Sequence, residues 1–312
     1  MRALTVPYLP APLALTTVDT PSPGEGEVLV RVASSSVNGF DLATAGGRLQ
    51  GMMEHRFPLV LGKDFAGTVE ELGAGVSEFA VGDPVFGVVM KPFVGAGSLA
   101  EYVTVPAAYG IARIPAGVSV ADAGALGLAG TAALDSLAAI GLSEGETVLV
   151  AGASGGVGAL AVQYALSQGV RVIATARAGA EESFVGSLNG EQLHVVDYSG
   201  DLGAQVRHLA PEGVDAAIHL AGDGATVAEL VADGGRVAST LGFGPETAGV
   251  RDLSVTTVMA DPTPVTLDRL AADVSAASLR VPVTRTYSLD EAPAAFADFA
   301  AGSIGKLGVS LG

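Results

Sequence analysis

The sequence predicts a two-domain α/β chain, with a β-rich, barrel-like unit first and then a parallel sheet covered by helices on both faces. Three observations carry that reading. The first third of the chain breaks into short apolar or alternating runs divided by glycine and proline. From Ala121 onward, alanine-rich helical stretches alternate with short Val/Ile-rich runs. The length, 312 residues, suits two folded units of roughly 100–200 residues each.

In the first unit, Glu27-Val28-Leu29-Val30-Arg31-Val32 and Gly67-Thr68-Val69-Glu70-Glu71-Leu72 read as strands. They are set off by Pro21-Ser22-Pro23-Gly24, Gly73-Ala74-Gly75 and Gly82-Asp83-Pro84. Short strands at that spacing indicate a compact barrel. In the second unit, strands are expected at 147–151, 170–174, 194–198, 214–220 and 236–241, with a sixth at 255–260. Nearly unbroken apolar runs joined by helix-length intervals indicate a parallel sheet buried on both faces. After Pro262 and Pro264 a helix at 267–277 is expected, then β structure at 281–289. A helix at 290–301 and a strand at 307–311 bring the C-terminus back to the first unit. The expected domains are therefore 1–121 with 263–312, and 122–262.

Composition excludes several functions. The chain has no cysteine, which removes disulfides, thiolate zinc sites, iron–sulfur clusters and a cysteine nucleophile. Sixteen basic residues against 33 acidic ones give a net charge of −17. That balance argues against a nucleic-acid or anionic-membrane partner. Apolar residues make up 49 % of the chain and mean hydropathy is +0.48, enough for a sizeable core. The start has no apolar run long enough for a signal peptide before Pro7 and Pro10, so a cytoplasmic location is expected. No charge occurs between Glu146 and Arg171, yet the glycines in the middle of that stretch favour a strand, a turn and a buried helix over a membrane span.

The chemistry lies in that same stretch. Thr147-Val148-Leu149-Val150-Ala151 leads into Gly152-Ala153-Ser154-Gly155-Gly156-Val157-Gly158 and then a helical run to Gln168. Strand, glycine turn and helix in this order form a dinucleotide-binding fingerprint. Glycines let the turn close and let backbone N–H groups meet a pyrophosphate at the positive end of the helix dipole. A purely structural glycine turn or a serine elbow at Ser154 fits the same residues in isolation. The third glycine, Gly158, and the two-domain plan favour the nucleotide site.

An acid at the end of the next strand would bind the ribose of NAD. Here Ala174-Thr175-Ala176-Arg177 occupies that place, with no acid before Glu181. Arg177 suits a ribose 2′-phosphate, so NADPH is the expected cofactor.

The chain resembles the zinc-independent quinone oxidoreductases of the medium-chain dehydrogenase/reductase superfamily. The resemblance rests on Val37-Asn38-Gly39-Phe40-Asp41, Leu61-Gly62-Lys63-Asp64-Phe65-Ala66-Gly67-Thr68-Val69 and Val81-Gly82-Asp83-Pro84-Val85-Phe86-Gly87. It continues in Ala100-Glu101-Tyr102-Val103, Gly130-Thr131-Ala132, the glycine turn and Gly305-Lys306. It implies a GroES-like β-barrel catalytic domain plus a Rossmann domain, with the active site in the cleft between them. It also implies hydride transfer from NADPH to a quinone or α,β-unsaturated carbonyl.

By the same resemblance, Asn38 sits beside the nicotinamide and Thr131, at a helix start, lies near its ribose. Tyr198 lies near the 2′-phosphate, Ala221-Gly222 passes the adenosine half, Leu241-Gly242-Phe243 lies along the nicotinamide, and Lys306 reaches the cofactor side. Relatives pair through the last Rossmann strand, which implies a homodimer through residues 255–259 (Val255 to Met259).

Departures from zinc-containing relatives matter as much. Gly62-Lys63-Asp64 stands where they have Gly-His-Glu, and Asn38 where they have cysteine, so no zinc is expected. Many quinone reductases carry a tyrosine where this chain has Ala43, so the usual phenol is missing. Charge developing on the substrate oxygen then falls to the Asn38 amide, backbone N–H groups or water. Of His55, His194, His208 and His219, none has metal-ligand spacing. His219 reads as a buried or cofactor-edge residue and His55 as a cleft-loop residue. Lys63 reads as a structural partner for an acid. A dedicated enoyl or ketone reductase, and a cofactor-binding protein with little catalysis, remain open alternatives.

Overall fold

The computed structural model describes residues 1–188, 190–246 and 252–312. The chain forms two compact units, Met1–Thr131 with Pro262–Gly312, and Ala132–Asp261. The first opens with β1 (Arg2–Val6), β2 (Ala14–Thr17), β3 (Glu27–Ser36), α1 (Gly39–Ala45) and β4 (Glu54–Val60). It continues through β5 (Asp64–Leu72), β6 (Pro84–Val88), β7 (Phe93–Ala96), β8 (Tyr102–Pro106) and β9 (Ile111–Arg113). Helix α2 (Val120–Ile140) carries the chain into the second unit. There follow β10 (Thr147–Ala151), α3 (Gly156–Ser167), β11 (Arg171–Thr175), α4 (Ala180–Gly186) and β12 (Leu193–Val196). Next come α5 (Leu202–Leu209), β13 (Val214–His219), α6 (Gly224–Ala228), β14 (Val231–Ser239) and β15 (Ser254–Thr257). The return to the first unit is α7 (Pro264–Ser275), β16 (Val283–Ser288), α8 (Ala292–Ala300) and β17 (Lys306–Ser310).

In the first unit one sheet runs β16-β17-β3-β5-β6-β9, with β8 also on β3, and a second runs β2-β1-β4-β7. Strand β17 lies antiparallel to β3, with Gly308 opposite Ser36 and Val309 opposite Ser35. Two residues further along the same register, Lys306 comes opposite Asn38. The C-terminal segment also supplies core: Tyr287, Phe296, Leu307 and Val309 are buried with Leu4, Val37, Leu59 and Leu99.

The second unit is one parallel sheet in the order β12-β11-β10-β13-β14-β15. Counted from β10, that order is 3-2-1-4-5-6, the doubly wound Rossmann arrangement. Its central strands are buried almost end to end: Val148, Leu149 and Val150 are fully inaccessible, as are Val172, Ile173 and Ala174. This is what helices on both faces require. The order reverses at β10, and ligands bind such sheets beyond the carboxyl ends of the strands at that reversal. Strand β14 begins at Val231 rather than 236, because Val231 pairs with Val214 across a register shift before Arg236 meets Ala216.

The first unit ends at Thr131, midway along α2, whereas the expected boundary lies at 121, near the start of the helix. The helix is long and apolar enough to cross a membrane, but 78 % of its most apolar stretch is buried, as in a core helix. Its first half closes on the first unit through small residues. A Cβ on Gly124 would lie 2.7 Å from the Cβ of Ser34, and one on Gly130 would lie 2.7 Å from a methyl of Leu270. These glycines let α2 approach β3 and α7 at backbone distance. Replacing Gly124 by alanine gains up to about 1 kcal/mol of helix propensity and costs about 1–3 kcal/mol in overpacking. The expected outcome for Gly124→Ala is net destabilisation, read as a lower urea midpoint with an unchanged m-value.

Candidate cofactor and active sites

Strand β10 ends at Ala151, and Gly152 turns the chain with φ +97°. The Gly155 N–H closes the turn on the Gly152 carbonyl at 3.1 Å. A Cβ on Gly158 would sit 2.2 Å from that carbonyl oxygen, so α3 packs on the turn only with glycine there. The N–H groups of Gly156, Val157 and Gly158 lie outside the intrahelical ladder and make a cradle that fits a pyrophosphate. Ala153 is wholly buried. Thr175, buried at the end of β11, accepts the Gly152 N–H on its Oγ1 at 2.9 Å. Its hydroxyl therefore positions the turn.

Beside this turn four donors converge on one carboxylate. Glu181 Oε2 accepts from Ser154 Oγ at 3.2 Å and from the Arg177 backbone N–H at 3.1 Å. Glu181 Oε1 accepts from the Arg177 guanidinium at 2.9 Å and from the Tyr198 hydroxyl at 3.1 Å. Burial alone would raise the Glu181 carboxyl, but these hydrogen bonds outweigh it and hold it below the ordinary carboxylate range. The acid that the end of β11 lacks thus arrives from the first turn of α4. Arg177 is ion-paired rather than free.

The turn after β13 and the loop after β14 are tied together by His219. Its Nε2 is 3.1 Å from the Gly222 carbonyl and its Nδ1 is 2.9 Å from Ser239 Oγ. Ser239 Oγ in turn accepts the Leu241 N–H at 3.1 Å. A carbonyl only accepts, so Nε2 carries the proton and Ser239 donates to Nδ1. The ring also meets Phe243 edge-on with centroids 6.0 Å apart, and Phe243 covers Gly224. Ala221-Gly222 and Leu241-Gly242-Phe243 are thereby one braced surface.

The first unit holds a buried charged cluster. Lys306 Nζ donates to Asn38 Oδ1 at 2.5 Å and lies 3.3 Å from Asp64 Oδ2. Asp64 Oδ2 also accepts from Ser36 Oγ at 2.5 Å and Asn38 Nδ2 at 3.0 Å, while Oδ1 accepts the Leu128 N–H at 2.7 Å. Lys306, Asp64 and Asn38 are 3 %, 0 % and 7 % exposed. Asn38 is the N-cap of α1, and its N–H donates to Asp41 Oδ2 at 2.9 Å. Asp41 and Lys63 line a cavity of about 20 Å³ between α1, the β4–β5 turn and β7, room for one water.

Two expectations are corrected here. Thr131 is mid-helix in α2, not at a helix start, and its Oγ1 donates to the Gly127 carbonyl at 2.7 Å. The Gly130-Thr131-Ala132 motif is an interior small-residue contact, so it carries no cap signal. His55 lies in strand β4 rather than in a loop, with Nδ1 2.9 Å from the Met53 carbonyl. Lys63 donates to the Val89 carbonyl with its ammonium 4.8 Å above the Phe40 ring, and the charges of Asp41 and Asp64 act on it, as a partner of acids.

Two family models match the chain: the alcohol dehydrogenase GroES-like domain over residues 24–116 and a zinc-binding dehydrogenase over residues 192–307. The quinone oxidoreductase structure from Coxiella burnetii superposes with TM-score 0.89 at 28 % identity, covering 100 % of this chain and 99 % of that one. The two domain models together place the chain in the medium-chain dehydrogenase/reductase superfamily, and within it the chain is similar to quinone oxidoreductases. A mycobacterial protein, Rv1454c, solved in complex with NADPH, matches with TM-score 0.86 at 26 % identity over 100 % of both chains. The chloroplast envelope quinone oxidoreductase homolog of Arabidopsis thaliana is 34 % identical over 210 residues, 65 % of this chain. That alignment spans 62 % of the Arabidopsis relative's own length.

As a member of this family the chain places the Rossmann glycine turn where a dinucleotide fits. The residues at Asn38 and Asp64 do not fit zinc. Both Asp64 oxygens and both ends of the Asn38 amide are taken by protein donors and acceptors, and an ammonium already lies against them. Among the described residues no group of three His, Asp or Glu side chains is arranged to hold a metal. Sequence reasoning missed Glu181, Asp64 and the His219 brace. Glu181 left a trace as an acid one helical turn past Arg177, and the expected burial of His219 holds although its partners were not legible.

Burial, then the charge of Asp64, push the Asp41 carboxyl up to about 7 against the pull of the Asn38 N–H, Lys306 and Lys63. A carboxyl raised in the folded chain takes up a proton on folding. Its contribution to stability is therefore full below pH ~4 and lost as pH rises through ~7. In Asp41→Asn that loss is absent. The unfolding free energy of the variant, relative to wild type, should climb by a few kcal/mol (on the order of 4) between pH ~4 and ~7. Urea titrations across that window check it; a flat difference refutes it.

Proposed function

We propose that this chain is an NADPH-dependent oxidoreductase that reduces a quinone or an α,β-unsaturated carbonyl and uses no zinc to do so. The observation that carries the reading is the buried Lys306 ammonium seated on the Asn38 amide and the Asp64 carboxylate. Bound NADPH supplies hydride from its nicotinamide to a carbonyl acceptor, whose oxygen becomes negative. Asn38 is the proposed donor to that oxygen, through the Nδ2 hydrogen that Asp64 does not hold and that otherwise makes a long 3.4 Å contact to the Ser36 carbonyl. Lys306, bonded to Asn38 Oδ1, polarises the amide so that its N–H groups donate more strongly. Asp64 fixes the amide orientation from the other side.

On the second unit, the N–H groups at the start of α3 take the pyrophosphate. Arg177 and Tyr198 flank the adenosine ribose, and the braced loops at Ala221-Gly222 and Leu241-Phe243 line the rest. Thr131 belongs to the proposed nicotinamide contacts. Lys306 acts from behind Asn38 rather than on the cofactor itself. Ala43 removes the phenol that many relatives carry at that position of α1, and a quinone takes its protons from water, which favours a quinone acceptor. The neighbouring structure solved with NADPH supports the cofactor. Pairing of two copies along β15, an edge strand of its sheet with Met259 exposed beyond it, belongs to the same proposal and is read by light scattering.

Two measurements test the reading. Steady-state oxidation of NADPH against simple quinones and enones should show turnover, with quinones faster; no turnover with any acceptor rejects the enzyme in favour of a binding protein. Asn38→Ala should lower kcat roughly 100-fold, the scale of losing one oxyanion donor, with the Kd for NADPH changed less than about threefold. Unchanged kcat would remove Asn38 from the chemistry.

A further inference from the structure

We infer that Glu181 sets the choice between NADPH and NADH by competing with a 2′-phosphate for the groups that would bind it. The inference rests on the nicotinamide-dependent reading above. Four donors at the ribose corner of β11 and β12 are already on this carboxylate: the Arg177 guanidinium, the Tyr198 hydroxyl, the Ser154 hydroxyl and the Arg177 N–H. A 2′-phosphate needs those same donors and carries about two negative charges. It would arrive beside a carboxylate whose single counter-ion is Arg177. The nearby Asp197 carboxylate also acts on Arg177, so the corner as a whole has no net positive charge to offer.

Burial decides which partner moves. The Arg177 side chain is 60 % exposed and that of Glu181 only 11 %, so the guanidinium can turn to a ligand while the carboxylate stays. Glu181 then repels a phosphate on the ribose but accepts hydrogen bonds from ribose hydroxyls, the role an acid plays in NAD sites. The corner therefore serves both cofactors, and the wild-type chain uses NADPH with only weak preference over NADH.

Calorimetric titration of the full chain with NADPH and with NADH tests this. Glu181→Gln keeps the shape and removes the charge. It should tighten NADPH about tenfold, or about 1.4 kcal/mol, and leave NADH unchanged or a few-fold weaker. Adding Arg177→Ala to that variant should cancel the NADPH gain. A ratio of the two Kd values within about twofold of wild type, or a shift toward NADH, overturns the role of Glu181. Wild type binding neither cofactor overturns the underlying reading instead. Matching thermal midpoints confirm that the variants are folded.

Discussion

The first unit depends on one buried carboxylate. Asp64, fully inaccessible at the start of β5, accepts from Ser36 on β3, from Asn38 at the head of α1 and from Leu128 in α2, and lies against Lys306 on β17. An isolated charge at that depth is untenable, and removing one partner of such a pair costs roughly 3–5 kcal/mol. The cluster therefore fixes where β5 meets four other elements. The antiparallel register of β17 on β3 makes this possible, because it sets Lys306 opposite Asn38 although 268 residues separate them.

That geometry gives the replaced ligand types a physical meaning. Asn38 and Lys63 stand where zinc-containing relatives have ligand types, and in the proposed reaction the electrostatic task of a metal falls to a third residue, Lys306. A lysine ammonium is a compact cation that can stand near a developing negative charge. In the proposed reaction Lys306, placed behind the Asn38 amide, would act without touching substrate, and the amide rather than the ammonium would set the geometry. Asp41, a helical turn from Asn38, adds a second acid to the same interior, where burial and the charge of Asp64 raise its carboxyl.

Much of this was legible in the chain. The glycine turn at Gly152, Gly155 and Gly158 reads directly as strand, turn and helix, because both its neighbours carry strong local patterns. The parallel strands read as apolar runs for the same reason: burial on both faces leaves no polar alternation. What did not read was anything set by contact across sequence distance. The small-residue contacts of Gly124 and Gly130 in α2 resemble ordinary helix-weakening glycines until Ser34 and Leu270 are seen against them. Thr131 took its expected place from motif position, whereas helix α2 runs straight through it. His219 is one histidine in an apolar strand, and only the parallel neighbour β14 supplies Ser239 to complete its hydrogen bonds.

Net charge joins the two sites. In a chain with twice as many acids as bases, a cation is seldom left without a carboxylate nearby. Lys306 is balanced by Asp64 deep in a core, where both side chains are almost wholly buried. Arg177 is balanced by Glu181 at a half-open corner, where solvent weakens the pair and lets the guanidinium turn away. The same pairing chemistry thus has opposite consequences at the two depths. Buried, it locks an amide in one orientation; near solvent, it leaves a ligand and a side chain competing for one guanidinium. Acidity that at the level of composition bears only on solubility becomes, at Glu181, the charge a phosphate has to displace.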